Sequence, residues 1–142
     1  IVWDDSNRLW STEHGSSATD ELNLIESGKN YGWPIIRGDQ QSEGMISPIL
    51  QSSNDTSAPA GATFLNGALF FGGLRGEALF KVNVSVASNL SIEEHLKGEL
   101  GRIRDVVAGR DGMLYITTGN RDGRGTPKAG DDRIIRINPH KL

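Results

Sequence analysis

The sequence predicts an all-β fold, and three observations carry that prediction. Glycine accounts for 18 of the 142 residues, while hydrophobic residues make up 36%. Such a composition suits many short strands joined by tight turns. A polar turn running into Leu and an aromatic occurs three times, as Ser6-Asn7-Arg8-Leu9-Trp10, Asn66-Gly67-Ala68-Leu69-Phe70 and Asp111-Gly112-Met113-Leu114-Tyr115. An Asn-Gly or Asp-Gly turn feeding a hydrophobic run is a hairpin signal. Its recurrence at spacings near those of β-propeller blades suggests one hairpin per blade, hence about three blades of four-stranded antiparallel sheet. On pattern alone, three unrelated hairpins in a β sandwich remain the alternative.

The elements follow in chain order. Ile1-Val2-Trp3 already reads as a strand, so the chain opens as if cut inside one. Ala78 to Val84 turns to apolar/polar alternation towards its end, and Arg102 to Val107 begins with it. Met113 to Thr117 reads as a buried strand. Arg133 to Ile137 is rich in β-branched residues and stops at Asn138-Pro139. Gly15 to Ala18, Arg37 to Gly44 and Gln51 to Gly61 read as connections, and Gly119 to Asp132 as a charged, Gly-rich loop in which Asp122 and Asp131-Asp132 make turns. One helical turn is predicted, over Ser91 to Lys97, because Ser91 and Glu94 have capping-box spacing. No linker divides the chain, so residues 1–142 read as one unit.

Bulk properties exclude some functions. The formal net charge is −3 and the pI about 5.6. That argues against nucleic acid as a partner, since phosphate binders usually carry a basic excess. No apolar run approaches the ~20 residues of a membrane span. Cysteine is absent, so there are no disulfides and no thiolate metal sites. Glycosylation sequons stand at Asn54, Asn83 and Asn89.

Two segments could carry chemistry. Glu13 to Asn23 holds three carboxylates, Glu13, Asp20 and Glu21, among polar turns. Hard cations such as Ca²⁺ take such oxygen sets, but the spacing is not that of an EF-hand, and a solvated acidic turn is the plainer reading. Arg102 and Arg104 lie two residues apart, so in a strand both leave one face. Side-by-side guanidiniums repel unless an anion sits between them, and Arg suits carboxylates and phosphates. Asp105 points to the other face and cannot neutralise both. Two exposed surface arginines remain an equal reading on local grounds. Arg75 stands in the turn Gly72 to Gly76. His14, His95 and His140 are scattered and show no metal-ligand spacing. There is no nucleophile elbow, phosphate loop or dinucleotide fingerprint.

These residues together resemble the glucose/sorbosone dehydrogenase family, which contains the PQQ-dependent soluble aldose sugar dehydrogenases. The resemblance rests on Leu9-Trp10, Glu13-His14-Gly15, Asp20-Glu21-Leu22-Asn23 and Gly28-Lys29-Asn30-Tyr31-Gly32-Trp33-Pro34. It continues through Ala58 to Gly61, Leu74-Arg75-Gly76, Gly101 to Val106, the Asp111 hairpin and Arg133 to Ile137. It implies a six-bladed propeller of which this chain is a later part. It implies PQQ as cofactor, held through its carboxylates by Arg75, Arg102 and Arg104. It also implies a Ca²⁺ on Glu21 and the backbone carbonyl of Tyr31, with Asp20 as a possible helper. The implied reaction oxidises the anomeric hydroxyl of an aldose to the lactone, in the periplasm or outside the cell, and passes electrons to an external acceptor. Its general base, a His, belongs to the propeller half that this chain lacks, so no catalytic residue is assigned here. The chain departs from the family pattern at Ser16 to Thr19 and at Arg37 to Gly44. A non-catalytic binding propeller of the hedgehog-interacting type shares the resemblance and is the alternative function.

Overall fold

The computed structural model describes residues 1–84 and 90–142, which form three antiparallel sheets. The sequon at Asn89 lies outside the described residues. The first sheet holds β1 (Val2–Trp3), β2 (Leu9–Glu13), β3 (Glu21–Ile25) and β4 (Leu50–Gln51), in that order. The second holds β5 (Pro59–Leu65), β6 (Ala68–Gly73), β7 (Leu79–Asn83) and β8 (Ile92–His95). The third holds β9 (Ile103–Ala108), β10 (Leu114–Thr118) and β11 (Ile134–Ile137), followed by a 3-10 turn at Pro139–Lys141. Each sheet is a meander, and the fold is that of successive β-propeller blades.

The repeated turn opens every blade. It joins β1 to β2, β5 to β6 and β9 to β10, always the first hairpin of its sheet. Asn66 and Gly67 both have positive φ, 52° and 81°, as a two-residue hairpin turn matched to strand twist requires. In the first hairpin Asp4 takes over this role. Its Oδ1 accepts from the backbone N–H groups of Ser6 and Arg8, and its Oδ2 accepts from Trp10 Nε1 at 2.9 Å and Arg8 Nε at 2.6 Å. The buried Trp10 indole thereby has its hydrogen-bond partner.

The blades stack through their leading strands, β5 on β1 and β2, and β9 on β5 and β6. Strand alternation sends Leu69, Phe71, Phe80 and Val82 towards the first sheet, where they pack with Trp10 and Leu22. It sends Ala68, Phe70 and Leu79 towards the third, against Ile103, Val106, Leu114 and Ile116. The middle blade is therefore apolar on both faces. Gly61 gives the close approach between blades: a Cβ there would sit 1.7 Å from Asp105 Oδ1.

Three sequence expectations are corrected. Residues 92–95 form an edge strand, not a helical turn. They pair with β7 in the register Leu79↔His95 to Val82↔Ile92, and Lys81 Nζ meets Glu93 at 3.2 Å. A ladder along β7 outweighs a weak local capping preference. The acidic segment is not one turn, since Glu13 ends β2 while Glu21 and Asn23 belong to β3. The connection read over Gln51 to Gly61 is shorter, because Gln51 ends β4 and Pro59 begins β5.

Candidate functional site

The ends of β2, β6 and β10 and the starts of β5 and β9 gather at one end of the blades. His14 Nε2 donates to Pro59 O at 2.7 Å, tying the end of β2 to the start of β5. The adjoining Asp20 is a clasp of the same kind. Its Oδ1 accepts from Gly15 N, and its Oδ2 accepts from Ser57 N at 2.7 Å, Ser57 Oγ at 3.0 Å and Ala58 N at 2.8 Å. With both oxygens taken, Asp20 has a structural explanation that needs no cation.

Arg102 and Arg104 meet on a carboxylate that the sequence reading gave only to a turn. Asp122 Oδ2 accepts from Arg102 Nε at 3.0 Å, Arg102 Nη2 at 2.9 Å and Arg104 Nη2 at 2.6 Å. Two guanidiniums that share one carboxylate oxygen would otherwise repel each other, and the anion offsets that repulsion. The hydrogen bond from Arg102, with the backbone N–H of Arg124, holds the Asp122 carboxyl below the usual carboxylate range. Arg102 Nη1 also donates to Leu74 O at 3.1 Å, next to Arg75. The structure thus brings Arg102 onto the turn that carries Arg75. Arg75 itself is exposed and lines a cleft of about 600 Å³ with Asp20, Ser57, Phe71 and Phe80, on the side of the first blade.

The loop after β10 is what delivers Asp122. Asn120 is its anchor: Oδ1 accepts from Arg102 N at 2.8 Å, and Nδ2 donates to Leu100 O and Asp131 Oδ2. Gly101, at φ +71°, makes room for it; a Cβ there would lie 2.2 Å from Asn120 Oδ1. A Cβ at Gly125 would lie 2.8 Å from Arg102 Cδ. Gly101, ahead of β9, and Gly125, in the loop, therefore shape the space around the arginine pair.

On the outer face of the first blade, Glu13 and Glu21 stand directly opposite each other across β2 and β3. Asn23 Nδ2 lies 3.4 Å from Glu13 Oε2 and 3.3 Å from Glu21 Oε2. Asn23 is 1% exposed, and its Oδ1 has no hydrogen-bond partner. Glu21 Oε1 accepts from Gly38 N at 2.7 Å, so the excursion between β3 and β4 covers this face. Burial, and then the charge of Glu21, push the Glu13 carboxyl up. Facing like charges are what a hard cation resolves, and a flipped Asn23 amide would turn its unpartnered oxygen towards the same two carboxylates. Tyr31 is in the same excursion, but its hydroxyl donates to Leu24 O at 2.6 Å and accepts from Glu26 N, at the far end of β3 from Glu21. No hydrogen bond joins Tyr31 to Glu21. Among the described residues no group of three or more His, Asp or Glu side chains gathers as a metal cluster.

The glucose/sorbosone dehydrogenase family model matches residues 1–135. The chain belongs to that family. The PQQ-bound aldose sugar dehydrogenase of Streptomyces coelicolor is 40% identical and superposes with a TM-score of 0.86 over 96% of this chain and 41% of that one. The aldose sugar dehydrogenase YliI of Escherichia coli is 30% identical over 139 residues, which are 83% of this chain and 37% of that protein. The apo-form of the Escherichia coli soluble aldose sugar dehydrogenase has a TM-score of 0.71 and 31% identity, over 80% of this chain and 38% of that one. The chain thus spans about two fifths of the length of these family members. Sequence reasoning missed Asn120 and the part played by Asp122. The signal available was the unneutralised Arg102/Arg104 pair, which called for an anion without saying where in the chain to find it.

Proposed function

We propose that this chain is the cofactor-holding part of a quinoprotein sugar dehydrogenase, one partial propeller over residues 1–142, which oxidises the anomeric hydroxyl of an aldose to the lactone. The observation that carries the reading is the arginine pair at the loop-rich end of the blades, in a chain of this family. PQQ bears three carboxylates, and guanidiniums are suited to them; among the described residues Arg104 uses one donor on Asp122 and the exposed Arg75 guanidinium has no partner, while Arg102 is fixed on Asp122 and Leu74 O. When bound, PQQ supplies the hydride acceptor. The chain's own contribution is to bind and orient: Arg75 and Arg104 offer donors to the anionic rim and the enclosed Arg102 braces the site, while the His14 and Asp20 clasps hold neighbouring blades in register. A binding propeller of the hedgehog-interacting type would have no use for a carboxylate grip, and the relatives above are dehydrogenases.

Calcium fits the outer face of the first blade. Glu13 and Glu21 would supply carboxylate oxygens, and Asn23 its unpartnered Oδ1 after an amide flip, with the Tyr31 carbonyl as a further ligand. The sugar-activating base is placed outside this chain, the electrons go to an external acceptor, and the location is the periplasm or beyond. No helix among the described residues is long and apolar enough to cross a membrane.

The test is a PQQ titration of the full-length protein, wild type against Arg104→Ala. A hydrogen bond to a charged group contributes ~1.5–3 kcal/mol, so affinity should fall roughly ten- to a hundredfold. Equal affinity would reduce the arginines to surface charges and remove the main support for the enzyme.

A further inference from the structure

The two arginines of the pair are not equivalent. Arg102 is enclosed, its side chain 8% exposed, and its donors face Asp122 Oδ2 and Leu74 O. Arg104 is 47% exposed and spends one Nη2 proton on Asp122, leaving the rest of its fork open. Asp122 cannot turn away freely, because its Oδ1 accepts from Arg124 N at 2.9 Å within its own turn. Asp131 and Asp132 hold Asn120, and Asp131 also pairs with Arg133, so these two carboxylates are engaged inside the loop and Asp122 is the one that meets the arginine pair.

We propose that Asp122 is the resident counter-ion and positioning residue of this anion site: it locks Arg102 and aims the open edge of Arg104 at a ligand carboxylate. Arg104 is then the member of the pair that meets the ligand, and Arg102 acts through Asp122. This rests on the reading of the site as one for a multi-carboxylate quinone. It makes a sign prediction that simple electrostatics does not. Removing the Asp122 charge makes the site more positive, which by charge alone would tighten anion binding. If Asp122 aims Arg104, its removal weakens binding instead.

The experiment measures dissociation constants of PQQ and of benzene-1,3,5-tricarboxylate on the full-length apoprotein, with melting temperatures in parallel. The variants are Asp122→Asn, Asp122→Glu, Arg104→Ala and the Asp122→Asn/Arg104→Ala double. Asp122→Asn should weaken PQQ binding three- to tenfold in the presence of Arg104 and have no effect in its absence, since coupled residues are not additive. Asp122→Glu keeps the charge, covers the case in which Asn fails to fold, and should give an intermediate loss with the melting temperature preserved. Tighter binding by Asp122→Asn would make Asp122 a mere competitor for the arginines and overturn the proposal. So would an equal effect of Asp122→Asn with and without Arg104. Wild type binding PQQ with no response to either Asp122 change sinks this inference alone; wild type binding neither probe sinks it together with the quinone reading.

Discussion

At the scale of single residues, two buried carboxylates have contrasting surroundings, Asp4 meeting a guanidinium and an indole N–H and Glu21 facing another carboxylate. Burial would raise the pKa of Asp4, but hydrogen bonds from Trp10 and Arg8 outweigh it and bring it to about 2 from 3.8. A depressed carboxyl stabilises the fold above its unfolded pKa and loses that contribution as pH falls through the folded one. The Asp4 share should therefore be complete above pH 3.8 and vanish near pH 2. Asp4→Ala should cost ~1–3 kcal/mol for the unpaired Trp10 N–H at any pH, and a further charge-linked loss at neutral pH that is absent at pH 2, read from urea unfolding at each pH. Equal losses at both pH values would contradict this. Glu21 faces Glu13, and its hydrogen bonds come from Gly38 N and Asn23 Nδ2, not from a cation of the chain. A cation that binds only the folded state adds stability, so millimolar Ca²⁺ should raise the melting temperature, and Glu21→Gln should remove most of that rise. An undiminished rise in Glu21→Gln would place the calcium elsewhere.

At the scale of elements, strands announced by a local signal were legible and those fixed by partners were not. The turns at Asn66-Gly67 and Asp111-Gly112 carry their own conformational requirement, so their hairpins could be read directly. β8 could not, because Ile92, Glu93 and Glu94 are exposed edge residues whose only instruction is the ladder along β7. The Glu21–Ile25 strand was hidden for another reason: its polar positions, Glu21 and Asn23, are buried beneath the β3–β4 excursion, so polarity did not mark surface. The site shows the same division. Arg102 and Arg104 were legible from spacing, while Asp122 arrives through a loop held by Asn120, a contact between residues 18 apart. Asn120→Ala frees the Arg102 and Leu100 backbone groups and Asp131 at once. It should cost ~1–3 kcal/mol and raise hydrogen exchange in residues 119–133 ahead of β9. Uniform exchange across the third blade would show that the loop is held by other means.

At the scale of the whole molecule, the middle blade has two separate apolar interfaces, one on each face, while each flanking blade contributes one side of a core. Stacked units that touch only their neighbours have stabilities close to a sum of interface terms. Val82 lies in the interface with the first blade and Ile116 in that with the third; both are fully buried. Val82→Ala removes two methyl groups and should cost roughly 2 kcal/mol, and Ile116→Val about 0.5–1.5 kcal/mol. With no shared partner, the double variant should lose the sum to within about 0.5 kcal/mol. Hydrogen exchange should resolve the two effects in space, faster in β2 and β3 for Val82→Ala and in β9 and β10 for Ile116→Val. A coupling above about 1 kcal/mol, or exchange that rises everywhere in both variants, would mean that the two apolar layers act as one core. The stack would then respond as a single unit, and a change at the arginine site would also be felt at the face that carries Glu13 and Glu21.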